Sequence, residues 1–151
     1  MYSIILIIHS WVRWIALVSV VGATLAALTG RVNGERSPAD RWGLIAMTAL
    51  DTQMLLGLLL YLVVSPNMRP ILASFGASMK DPALRFWAVE HTATMFAAIV
   101  FAHIGRALAR KAATPVAKRT RLLVCFGIAT LLIMLGMPWP GRPGGRVLFR
   151  V

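Results

Sequence analysis

The sequence predicts an all-α integral membrane protein, a four-helix up-and-down bundle. Three observations carry that expectation. Of the 151 residues, 58% are hydrophobic and only 14% charged, against about half and a quarter in a soluble domain. Mean hydropathy is +0.74. The apolar residues fall into four long runs separated by polar stretches rich in Gly, Pro and basic residues, and about 20 consecutive apolar residues suffice for a span. The length allows a single transmembrane domain, residues 1–151.

The first expected span covers residues 4–29 and opens IILIIHSWVRWIAL. His9 and Arg13 interrupt it four apart, so they share a helix face. Trp11 and Trp14 suit a membrane interface. The small residues Gly22, Ala23, Ala26 and Ala27 permit close helix contact. A polar loop with Gly30, Asn33, Gly34 and Pro38 follows. The second span covers residues 42–64, carries Asp51 and Gln53, and ends at Ser65-Pro66-Asn67; Gly57 allows close packing there. Residues 65–84 form the longest connection, with a short surface helix within ILASFGASM. Asp81-Pro82 is a helix start signal, an N-cap followed by Pro at the first helical position. The third span covers residues 84–108 and the basic loop residues 107–121, broken by Thr114-Pro115. The fourth span covers residues 121–138, about a turn short of a full crossing. The Gly/Pro-rich tail, residues 139–151, is expected to be irregular and to lie along the headgroups.

Net charge is +11. In a soluble chain that would point to nucleic acid, but no basic stretch carries the aromatic interleaving of a single-strand binder. Basic loops facing anionic lipid explain the charge, and no nucleic-acid partner is expected. The first and third loops share a side and hold Arg31, Arg36, Arg41, Arg106, Arg110, Lys111, Lys118, Arg119 and Arg121. The other side holds Arg69, Lys80, Arg85, Arg142, Arg146 and Arg150. The excess puts the first and third loops in the cytoplasm and both termini outside a bacterial inner membrane. The N-terminus lacks a basic n-region and a cleavage site, which favours a retained first span over a removed signal peptide. The one cysteine, Cys125, lies in an apolar run and reads as a small core residue; without a CxxCH motif there is no c-type haem attachment.

Ionisable groups at membrane depth are costly and mark function by default. The third span, RFWAVEHTATMFAAIVFAHIGR, carries Glu90, His91 and His103. His9 lies roughly 8 Å below the start of its span and His91 roughly 10 Å below the start of its own, so the two sit at similar depth. Arg13 and Glu90 are the expected ion pair of that half, and Asp51 and His103 the expected buried pair of the other. Gln53 points about 200° away from Asp51. Two readings fit. In one, His9 and His91 are the axial iron ligands of a b-type haem between the first and third spans, with Arg13 beside a propionate. In the other no metal is bound, and the same residues are structural pairs or a proton or quinone site. The methionines read as packing, and no phosphate loop, nucleophile elbow or HExxH motif is present. No catalytic residue is assigned, and a carrier or accessory role is favoured over an enzyme.

HSWVRW at 9–14, QMLLGLLLY at 53–61, MKDPALRFWAVEH at 79–91, IGR at 104–106 and MPWP at 137–140 carry a resemblance. In that order, and over most of its length, the chain resembles the small four-helix bacterial membrane proteins usually labelled "cytochrome b", frequent in Bacteroidetes and related phyla. The resemblance implies a membrane-embedded haem b or an accessory role in electron transfer. His9 and His91 match the family's histidines. Asp51 stands where the family pattern often has a His, a departure that touches the cofactor more than the fold. The expectation is therefore a small cytochrome b-like electron carrier, or support for a larger membrane redox complex, with the lipid bilayer and a homo-oligomer as further partners. The alternatives are a haem-free accessory subunit and a small transporter or proton pathway.

Overall fold

The computed structural model of the chain describes residues 1–34 and 36–149. Arg150 of the basic tally and the last two residues of the tail lie outside the described residues. Those described form helices and turns and no strand. Four helical rods are long and apolar enough to cross a membrane. The first is α1 (Tyr2–Leu28). The second is α2 (Pro38–Leu59), which runs into a π-helical turn, Leu60–Val64. Two short helices, α3 (Met68–Ala73) and α4 (Phe75–Ser78), occupy the long connection where a surface helix was expected. The third rod joins α5 (Pro82–Arg85), a second π-helical turn (Phe86–Glu90) and α6 (His91–Arg110). The fourth is α7 (Pro115–Gly136).

The helix starts follow from local chemistry. Asp81 accepts from the backbone N–H of Ala83 and Leu84 at 2.8 and 2.9 Å, with Pro82 at the first helical position. Ser37-Pro38 and Thr114-Pro115 repeat the device, Ser37 accepting from Asp40 N–H and Thr114 from Ala117 N–H. Thr114-Pro115 is thus both a break and a beginning. The expected basic loop 107–121 is corrected accordingly: α6 continues to Arg110, α7 begins at Pro115, and Lys118, Arg119 and Arg121 stand on the first turns of a helix. The fourth rod has 22 residues and is not short.

In cross-section the order is α1, α2, α6, α7, each helix packed on its neighbours, which leaves α1 and α6 diagonally opposite. Short connections make neighbours antiparallel. Both ends of the chain and the long connection therefore share one end, here the terminal end; the loops 29–37 and 111–114 share the other, basic end. The solid core occupies the basic half. Val20, Ala27, Ala46, Ala98, Ala102 and Ala129 are fully buried around Phe126. Small residues bring helices close, which is how membrane helices gain packing where lipid offers no hydrophobic drive.

The basic residues at that end build the fold. The Arg119 guanidinium donates to the carbonyls of Ala27 (3.1 Å) and Leu28 (2.6 Å), the open C-terminus of α1. Arg121 donates to Leu108 O near the end of α6 (2.7 Å). Lys118 pairs with Asp40 at 2.6 Å, and Arg106 donates to Asp40 O at 2.8 Å. The bonds of Arg119 and Arg121 satisfy carbonyls at the C-termini of α1 and α6. Arg119→Met is expected to lower bundle stability by about 1 kcal/mol, measured as a shift of the unfolding midpoint in mixed micelles; an unchanged midpoint would mean that water serves those carbonyls equally well.

Candidate functional site

The terminal half of the bundle is hollow. A partly open cavity of about 140 Å³ is lined by α1, α2, α6 and α7 and by Arg146 and Val147 of the tail. His9, Arg13 and Ser10 reach it from α1, Gln53, Met54 and Gly57 from α2, His91, Thr92 and Met95 from α6. Tyr61 and Trp87 line it from the two π-helical turns. His9 and His91, expected at similar depth, both line this cavity from the diagonal helices.

Each imidazole is held differently. His91 Nδ1 lies 2.7 Å from Gly136 O. A carbonyl only accepts, so Nδ1 carries the proton and Nε2 keeps its lone pair. Ring contacts with Phe86 (5.7 Å) and Trp87 (5.4 Å) fix the plane. His9 is held by Gln53, whose Nε2 donates to His9 O at 2.9 Å and lies 3.2 Å from His9 Nε2. A donor at Nε2 makes that nitrogen the acceptor and puts the proton on Nδ1. His9 Nδ1 and Gln53 Oε1 are buried without a hydrogen-bond partner among the described residues. Gly57 makes room for the ring: a Cβ there would sit 3.3 Å from His9 Cε1. Gln53, Gly57 and Tyr61 fall at i, i+4 and i+8, one helix face, and that spacing is the sequence signal for the α2 wall.

The π-helical turns shape the rim. A π turn shifts the hydrogen-bond register and frees a carbonyl, and such turns recur at functional sites. Tyr61, in one turn, donates to Ala88 O, in the other, at 2.6 Å. This bond ties α2 to the third rod where they flank the cavity. Tyr61→Phe is expected to cost about 0.6–1.7 kcal/mol, the range of interhelical hydrogen bonds in membranes, and to raise amide exchange of residues 60–64 and 86–90 above that of the basic half. Uniform exchange across the bundle would remove Tyr61 as the local tie.

The tail is irregular, as expected, and folds back across the bundle end onto α1. Leu148 O accepts from Arg13 Nη2 (2.5 Å) and Trp14 Nε1 (3.3 Å). Phe149 stacks on Trp14 at 5.2 Å and 18° and meets Trp11 at 5.8 Å. Arg146 lies 4.7 Å over the Trp87 ring and lines the cavity. Arg13 and Arg146 are the two guanidinium groups among the residues that line the cavity. Sequence reading missed Arg146, because nothing local in GRPGGRVLF says where the segment returns.

Two expected pairs change. Arg13 does not pair with Glu90. Glu90 lies in the π turn, 46% exposed on the outer surface, and its carboxylate accepts from Arg85 Nε at 2.7 Å; the shifted register turns it from the interior. Asp51 and His103 do pair, His103 Nε2 lying 2.9 Å from Asp51 Oδ1, but the side chains are 49% and 44% exposed. Gln53 faces in, so Asp51, two positions away, faces out. No group of three or more His, Cys, Asp or Glu side chains able to hold a bare metal ion occurs among the described residues; of those four residue types, His9 and His91 line the cavity.

Fold and site define a class: a four-helix bundle of membrane-crossing length whose terminal half encloses an apolar cavity with two imidazoles and two guanidiniums. No family model, curated protein or solved structure matches the chain.

Proposed function

We propose that this chain is a small membrane haem protein of the b type, which carries electrons or supports a larger redox complex. The observation that carries the proposal is the convergence of His9 and His91, from diagonally opposed helices, on one largely apolar cavity. His91 fits as an iron ligand as it stands, with Nδ1–H on a backbone carbonyl and Nε2 available, the usual arrangement of a ligating histidine. His9 Nε2 would be the second ligating nitrogen, and Gln53 Nε2, 3.2 Å away, is the group that would have to release it. Arg13 and Arg146 suit the two propionates. A haem bound there would supply a one-electron couple whose potential is set by its ligands and burial. Leu50, Met95, Ile99 and Ile133 exclude water and keep the local dielectric low.

Residence in a bacterial inner membrane with both termini outside belongs to the same reading and rests on the basic residues of the first and third loops.

A second reading is favoured by one atom. As hydrogen-bonded, His9 presents a buried Nδ1–H with no acceptor among the described residues. A haem-free protein would use that donor to hold a carbonyl of a lipophilic ligand such as a quinone. The reduced-minus-oxidised spectrum of protein purified in mild detergent separates the two. A b-type α-band at about one haem per chain is the expected result. A flat spectrum from folded protein, still flat after haem is supplied, would overturn the haem reading.

A further inference from the structure

We infer that the outward face of α2 and α6 is the contact surface for a second copy of this chain, with the Asp51–His103 pairs at its centre. The inference does not rest on the haem reading. Asp51 is ten residues beyond Arg41, about 15 Å along α2, which places it near the middle of a hydrocarbon core about 30 Å thick. There a carboxylate and an imidazole, each nearly half exposed, face outward from the bundle. Ionisable side chains at that depth ordinarily turn to the bundle interior or to a partner, because lipid offers no hydrogen bonds. The mutual bond at 2.9 Å satisfies one carboxylate oxygen and leaves the second oxygen and the other ring nitrogen for groups outside this chain.

The surroundings point to self-association. Thr48 and Thr52 extend the polar stripe of α2 beside Asp51, and each hydroxyl donates to its own helix, Thr48 to Leu44 O and Thr52 to Thr48 O. Each hydroxyl therefore keeps its acceptor capacity for a neighbour. Toward the terminal end the same seam opens into an apolar groove lined by Met54, Leu58, Ala93 and Phe96. Leu55 protrudes beside it, 70% exposed. The face thus carries donor with acceptor and groove with knob. Under a two-fold axis each feature meets its complement, Asp51 of one copy opposite His103 of the other, as an isologous interface requires. A lipid tail would fill the groove but leave the charges unanswered.

The test is cross-linking in dilute proteoliposomes, with Cys125→Ala as the cysteine-free background. Thr52→Cys is expected to form dimers efficiently, and Leu131→Cys, on the exposed face of α7, only at the random level. Asp51→Asn is expected to weaken dimerisation about tenfold, the loss of two interhelical contacts of ordinary membrane strength. Leu55→Trp, which leaves the ion pair intact, blocks the groove sterically and guards against misreading a folding defect. The proposal is overturned by equal cross-linking at positions 52 and 131, by Thr52→Cys cross-linking only to a different protein in native membranes, or by dimerisation indifferent to both Asp51→Asn and Leu55→Trp.

Discussion

His91→Ala is expected to lower haem affinity by at least about 100-fold, the upper end of what even outer-shell changes cost a metal site. The b-type α-band should then be lost on purification. The expectation follows from the constraints on this ring. Gly136 O fixes its tautomer, Phe86 and Trp87 fix its plane, and Nε2 is left with nothing to do but meet a ligand. His9→Ala should have the same outcome. Gln53→Leu should differ, because it removes the competitor for His9 Nε2 and keeps the apolar wall; haem retention should hold or rise. His103→Ala is the control at another depth, and the spectrum should not respond. If His103→Ala removes the band and His91→Ala keeps it, the ligand assignment is wrong even though the protein binds haem.

Gly105→Val is expected to destabilise the bundle by about 3 kcal/mol or more, the upper range for overpacking. A Cβ at Gly105 would lie 2.5 Å from Cys125 Cβ. Both atoms are bonded directly to backbone, so no rotamer change relieves the clash, and α6 and α7 must separate. The damage would spread to the neighbouring core around Phe126 and Ala102. The measurement is the unfolding midpoint in mixed micelles, and the check is a double mutant. Cys125→Gly removes the opposing atom and should recover much of the loss, giving a non-additivity of the kind expected for residues in contact. Purely additive effects would mean that the two helices do not meet there.

Several of these features are legible in the chain alone. The apolar runs determine four helices long and apolar enough to cross a membrane. Asp81-Pro82 determines where the third rod starts, because an N-cap oxygen and a proline at the first helical position act within four residues; Thr114-Pro115 carries the same signal for α7 but reads from the sequence only as a break. His9 and His91 share a depth because axial rise is fixed at about 1.5 Å per residue once the ends of the spans are known. The 200° between Asp51 and Gln53 is equally local, and it assigns them to opposite faces.

Tertiary structure decided the rest. Which of those two faces turns inward depends on what α1 offers, and the backbone and ring of His9 select Gln53. The partners of Arg13 and Glu90 hinge on a π-helical turn and on a tail that folds back across 135 positions, and neither leaves a periodic trace in the sequence. The hollow half and the solid half differ through the packing of four helices together, since the small residues of one rod make a core only where the other three bring small residues to the same level. Rise, rotation and capping act within a turn or two of helix. Cavities, long-range carbonyl partners and exposed faces are properties of the assembled bundle.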